Sequence, residues 1–450
     1  MALTLGWHIV LASFGVALPA LIWLVERRGL RHGDSAALVL ARRWSKVAAV
    51  LFAVGAVSGT VLSVEMGILW PGLMGRFGAV IGLPFALEGV AFFVEAILLG
   101  IYLYGWDRLA PRVHHRLLVG VMAAGATGTF CVLAVNAWMN APAGFRIVGD
   151  PLTGEIVDVD PWAAMFNDAV WLESLHMFLA AYMVAGFVVA SVYAAGMRRG
   201  RDDHHHRLAL RVALGVAGIA ALAQPLVGHF AGQRVASAQP AKFAAMELVT
   251  ETTEGADLLV GGVLVDGRVV GGIELPIPGL TSFLAHNDPG ATVVGLDAVP
   301  ADARPPANVV HLAFQLMVGL GTALAALGAF VVLRLVRGRD LPTGRHFLTL
   351  VVAAGPAAVV ALEAGWVTTE VGRQPWIVHE LVRVGDAVTD AGGLWWIYAG
   401  TVAVYTTLTV ATLVVLRSMA RRWRGGEEKL EVPYGPHIDP EPASVTIDAS

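Results

Sequence analysis

The chain has 450 residues, 56% of them hydrophobic and 15% charged, with a mean hydropathy of +0.66. That apolar share lies well beyond an ordinary soluble domain and defines an integral membrane protein. A formal net charge of −4 without a basic block gives nucleic acid no footing, and a single cysteine, Cys131, allows neither a disulfide framework nor a thiolate metal cluster.

A membrane span takes about 20 mostly apolar residues. Nine stretches qualify: 6–25, 47–69, 84–105, 117–139, 168–196, 208–230, 308–333, 346–368 and 393–417. The first reads as a retained span, because its basic residues follow the apolar run and none precedes it. The segments after spans one, three, five, seven and nine carry 23 of the 31 Lys and Arg. The positive-inside rule therefore places the N-terminus outside and the C-terminus in the cytoplasm.

The expected organisation is all-α: six transmembrane helices in 1–230, one long outer loop at 231–307, three more helices in 308–424, and a polar tail at 425–450 that reads as disordered. A loop of that length is usually functional. Within it, VLVDGRVVGG predicts a hairpin turning at Asp266-Gly267. The run DDHHHR, Asp202 to Arg207, reads as a solvated loop between spans rather than a metal site.

Ionisable groups inside spans are costly and mark cofactors, ion paths or substrate sites. They are His8, Glu65, Glu88, Glu95, Glu173, His176, His229, His311 and Glu363, with Glu370 at a span end. On this topology His8, Glu88 and Glu370 lie near one depth on the outer side. His176 and Met317 sit about eight and nine residues into spans five and seven, a matched depth of roughly 12 to 14 Å. Such a pair suits a six-coordinate haem of raised potential; the plain alternative is a hydrogen-bonded core histidine and a packing methionine. Glu88 and Glu95, seven residues apart, share a helix face about 10 Å long. They either relay protons or, protonated, hold helices together; Glu363 and Glu370 repeat the spacing.

Separated motifs then occur in order: GWH with His8, FALEG with Glu88, FFVEA with Glu95, GWDRL at 105–109, NAWMNAP at 136–142, LESLHMFLAAY with His176, QPAKFAAME at 239–247, LMVGLG with Met317, and GRQPW at 372–376. In these motifs the chain resembles subunit I of the cytochrome bd-type quinol oxidases over nearly its whole length, with the quinol loop in its short form, like that of the cyanide-insensitive members.

The resemblance implies a haem-bearing subunit of a bacterial cytoplasmic-membrane terminal oxidase. It would oxidise ubiquinol or menaquinol at the outer face and reduce O2 to water, building a proton gradient without a pump. His176 and Met317 would ligate a low-spin haem b. His8 and Glu370 would be axial ligands of two high-spin haems, a haem b and a haem d or a second haem b in its place, in an order left open. Glu88 would face the oxygen-binding iron, Glu95 would carry protons, Arg373 would lie beside haem propionates, and Lys242 and Glu247 would act on the quinol. The implied partners are a second membrane subunit, subunit II, and in some members a small single-span one.

One departure is Gln315, where many members carry an arginine; losing that cation should lower the potential of the low-spin haem. Two rival classes are a haem-b-only electron-transfer relative, against which His8 and Glu88 both speak, and a secondary transporter, for which no inverted repeat or paired broken helices are visible.

Overall fold

A computed structural model describes residues 1–425, so the expected tail, apart from Gly425, lies outside the described residues. The helices in chain order are α1 Ala2–His32, α2 Ser35–Leu69, α3 Pro71–Gly105, α4 Pro111–Asn140, α5 Pro161–Met165, α6 Val170–Met197, α7 His204–Ala238, α8 Pro240–Glu247, α9 Leu280–His286, α10 Ala307–Val336, α11 Arg345–Gly372, α12 Val384–Ala387 and α13 Leu394–Gly425. Nine of these, among the described residues, are long and apolar enough to cross a membrane.

Most of the apolar stretches lie inside a longer helix than the sequence suggests, the exception in length being 168–196, which matches α6. Segment 26–46, expected as a loop, is helical except around Gly33 and Asp34. Gly33 ends α1 in the left-handed conformation (φ 65°), which costs a glycine nothing. The Asp34 carboxylate then accepts from the Ala37 N–H at 3.1 Å and starts α2. In the same way Asp203 caps α7, so the histidines of DDHHHR form a helical first turn rather than a loop. Prolines at the first position of α3, α4, α5 and α8 fit where no N–H is required.

Two four-helix groups result. In one, α1 packs on α2 and α4, and α3 packs on α4; in the other, α6 packs on α7 and α11, and α10 packs on both of those. Contact between α1 and α6 joins the groups. Lipid offers no hydrophobic drive between helices, so close backbone approach at small residues holds them. Gly218 and Gly328 bring α7 and α10 together so closely that a Cβ on Gly328 would stand 2.9 Å from the Gly218 carbonyl oxygen. Gly186 meets Ala217 between α6 and α7, and the Ser191 hydroxyl donates to the Val352 carbonyl at 3.0 Å between α6 and α11.

The helices alternate in direction, giving the bundle a basic end and a loop end. At the loop end α7 extends to Ala238, so the first eight residues of the expected loop, 231–238, are helix. The hairpin is as expected: strands Val263–Val265 and Arg268–Val270 pair antiparallel, and Asp266 and Gly267 both take positive φ (50° and 78°), the geometry of a two-residue turn. Asn308, in the first turn of α10, grips this hairpin through both the N–H and the C=O of Leu264, at 2.6 and 2.9 Å.

Candidate functional site

At the loop end α4, α6, α8 and α11 deliver polar side chains to one place. Glu370, in the last turn of α11, has both oxygens engaged: Asn136 Nδ2 of α4 donates to Oε1 at 2.7 Å, and the Arg373 guanidinium pairs with Oε2. Arg373 is 3% exposed, yet its Nε and Nη1 are buried without a partner among the described residues. One turn beyond Asn136, Asn140 donates to Glu173 of α6 at 3.1 Å, and Gln239 donates to the Asn140 carbonyl at 2.8 Å.

Lys242 of α8 is buried against this group. Its aliphatic stem covers Gly372, where an added Cβ would come within 2.9 Å of Cγ. Burial pushes the Lys242 ammonium down to about 8, while the negative charge of Glu173 works in the opposite direction. Glu247 is also buried, its Oε2 has no partner among the described residues, and burial raises its carboxyl to about 7. Five residues apart on one helix, the two side chains point about 140° apart. The charges of Glu173, Glu370 and Arg373 all act on the ammonium, and among the described residues no ion pair joins it to Glu247.

His8 of α1 shares a short 2.7 Å contact between Nδ1 and the Ser58 hydroxyl, and Gly59 leaves space beside the ring, with a hypothetical Cβ 3.3 Å from Cε1. His176 of α6 meets Gln224 at Nε2 (3.2 Å) and faces Gly228; its Nδ1 is buried without a partner among the described residues. The Met317 sulfur of α10 lies against Gly365 of α11, 2.8 Å from where a Cβ would stand. Glu95 presses its carboxyl on Gly125 of α4, at 3.1 Å by the same measure.

The expectation of a common depth for His8, Glu88 and Glu370 needs correcting. Glu370 bonds Asn136, whereas the Glu88 backbone lies beside Gly128, eight residues earlier on α4 and nearer its basic end. That places Glu88 about 12 Å deeper than Glu370. The cause is the length of α3, which starts at Pro71 rather than near residue 84.

Asn136 and Asn140 of NAWMNAP, and Glu173, carry contacts that their motifs alone do not disclose. The four-residue spacing of the two asparagines on one helix face was the available signal. Gln315 donates to the Leu259 carbonyl at 3.2 Å, and both His311 ring nitrogens meet loop carbonyls, of Met246 (2.8 Å) and Gly261 (2.9 Å).

Two histidines, a half-buried methionine and a carboxylate are thus each set against a glycine or an amide. The family profile for cytochrome bd terminal oxidase subunit I matches residues 1–423. The chain belongs to the cytochrome bd terminal oxidase subunit I family. It is 37% identical over 419 residues to a Bacillus subtilis chain provisionally named a cytochrome bd menaquinol oxidase subunit I, covering 92% of this chain and 93% of that one. A second B. subtilis relative, cytochrome bd ubiquinol oxidase subunit 1, is 28% identical over 401 residues, covering 86% and 84%. The bd oxidase structure from Geobacillus thermodenitrificans superposes with a TM-score of 0.87 at 38% identity, covering 94% of this chain and 96% of that one.

The cytochrome bd family implies haem cofactors, a quinol substrate and a subunit II partner. The residues of this chain suit haem. Buried polar atoms are normally partnered, yet His176 Nδ1, Glu363 Oε1, Trp366 Nε1 and two Arg373 nitrogens are not, among the described residues. Imidazole, thioether and carboxylate are axial donors to haem iron or its neighbours, and a buried guanidinium suits propionates.

Proposed function

We propose that this chain is the haem-bearing subunit of a quinol:O2 oxidoreductase, taking electrons from quinol at the loop end and delivering them for reduction of O2 to water. The observation that carries this reading is the burial of Lys242 from the loop helix on Gly372 at the end of the bundle, where the charges of Glu173, Glu370 and Arg373 act on its ammonium. A substrate arriving at α8 is thereby next to the group that neutralises charge at the end of α11.

His176 and Met317 would hold a low-spin haem b; His8 and Glu370 would serve a high-spin haem b and a haem d, or a second high-spin haem b. When bound, the haems supply electron transfer and oxygen chemistry. The Ser58 contact fixes the His8 ring and directs its other nitrogen away, as supporting hydrogen bonds commonly do for ligand histidines. Arg373, with two nitrogens to spare, offsets propionate charge. Glu247 accepts a proton from the quinol hydroxyl while the Lys242 ammonium donates to a quinol oxygen.

Glu88 and Glu95 hold and pass protons drawn from the basic end. With the basic end in the cytoplasm and the loop outside the bacterial inner membrane, quinol protons leave outside and oxygen's protons come from inside, so charge separates without a pump. Subunit II, and in some members a small single-span subunit, completes the complex. The relatives' names include both menaquinol and ubiquinol, and either quinol meets the same two side chains.

The test is the dithionite-reduced minus air-oxidised absorption spectrum of the purified complex, followed by quinol-driven O2 consumption. Low-spin b bands with a far-red chlorin band and O2 uptake are expected. Haem without O2 uptake would leave an electron-transfer relative, and no haem would overturn the reading.

A further inference from the structure

Towards the basic end, remote from the quinol loop, a carboxylate is wholly buried against groups that include two histidines and a tyrosine. Glu26 of α1 is 0% exposed, as is His114 of α4. His114 Nδ1 meets Glu26 Oε1 at 3.0 Å, and its Nε2 meets the Tyr102 carbonyl at 2.7 Å. The Tyr102 hydroxyl donates to Glu26 Oε2 at 3.0 Å, and His115 Nδ1 lies 3.3 Å from the same oxygen, at ion-pair distance but outside hydrogen-bond geometry. His115 keeps 16% of its side chain exposed and stacks on Trp23, over which Arg27 lies. The cluster thus connects the surface, through His115, to a buried acid.

A small cavity of about 10 Å³ lies one helical turn from it. Leu18, Ile22, Leu99, Leu118 and Val121 line this space, and Glu95 forms part of its wall. Ile22 is four residues from Glu26 on α1, Leu99 three from Tyr102 on α3, and Leu118 four from His114 on α4. On all three helices the cavity therefore begins one turn from the cluster. Glu95 is seven residues from Tyr102 on α3, about 10 Å along the same face.

We infer that Glu26, with His114, His115 and Tyr102, is the proton-entry station that recharges Glu95 through this cavity. The inference rests on the reading of Glu95 as a proton carrier. A proton taken from the basic side by His115 moves to the Glu26 carboxylate; the resulting acid gives it to water admitted to the cavity, and that water gives it to the Glu95 carboxylate. Each hop breaks one O–H or N–H bond and makes another, and His115 is reprotonated from solvent. The mainly apolar lining limits water to brief entry, which keeps the path from leaking. A purely structural ion pair would need neither the exposed His115 nor the cavity.

The experiment is infrared detection of the Glu95 carboxyl in the intact oxidase, its band identified by loss in Glu95→Gln. Deuterium oxide is added to the basic side of proteoliposomes and exchange of that carboxyl is timed. Glu26→Gln should slow exchange by about tenfold or more, and Tyr102→Phe by less. Glu26→Asp, which keeps a carboxyl, should restore it. Exchange at the native rate in Glu26→Gln, or no recovery in Glu26→Asp, overturns the station. If Glu26→Gln fails to assemble, Leu99→Phe narrows the cavity without touching the cluster: slowed exchange supports the path and a native rate overturns it. Should Glu95→Gln sustain full quinol-driven O2 uptake, the carrier reading of Glu95 fails, and the exchange data separately decide whether the cluster feeds it.

Discussion

Gly372 and Lys242 fit each other only because residue 372 has no side chain: a Cβ there would stand 2.9 Å from Cγ and 3.1 Å from Cε of the lysine. Gly372→Ala should therefore displace the lysine side chain from its buried position without removing any charge. Overpacking of this kind costs about 1–3 kcal/mol, so quinol oxidation should fall roughly tenfold while O2 uptake from an artificial donor is retained. Equal loss of both activities would detach Lys242 from quinol chemistry.

The pH profile of quinol oxidation should be a narrow bell. Glu247, raised to about 7, is a base only above that pH; Lys242, lowered to about 8, is a cation only below it. Activity should rise through pH 7 and decline above 8. Glu247→Gln should remove the acid limb and cost about a hundredfold in rate, and Lys242→Arg, which stays charged, should remove the alkaline decline. Steady-state rates from pH 5.5 to about 9.5 check both limbs.

Met317 can be tested without changing it. Gly365→Val places two methyl groups where its sulfur lies. Most of the low-spin b absorption should disappear, as in Met317→Leu and His176→Ala. Reduced spectra with intact low-spin bands in all three would remove the pair from haem ligation.

His311 should act on the loop. Its ring meets the Met246 and Gly261 carbonyls, and each hydrogen bond contributes about 1 kcal/mol. His311→Ala should speed amide exchange around 246–262 by roughly ten- to thirtyfold and weaken apparent quinol affinity, with the haem spectrum unchanged. Hydrogen exchange with peptide resolution provides the check.

Much of this architecture is written in local pattern. Asp266-Gly267 between apolar runs specifies its hairpin because two consecutive positive φ angles favour those residues. The nine spans follow from hydropathy, but their ends do not: α2 starts twelve residues before its apolar stretch because Asp34 caps it and Leu38, Ala41 and Trp44 pack on α1. Spacing singled out His176, Met317 and Glu370 as candidates but could not say which groups meet them. Gln224, which meets His176, and Asn136, which meets Glu370, come from distant segments. Glu26 went unnoticed because the apolar run ends at residue 25, which made it look like the first residue of a solvated loop.

The backbone contact of Gly218 with Gly328 has a consequence for the loop between their helices. From that contact α7 runs 20 residues to Ala238, and α10 begins 21 residues before it, at Ala307, so both ends of the loop emerge at similar height from a fixed pair of posts. Closure of a chain between fixed neighbouring ends costs only about 0.6 kcal/mol for each doubling of its length. The posts thus leave the loop free to gain or lose whole segments over generations while the bundle beneath keeps its register.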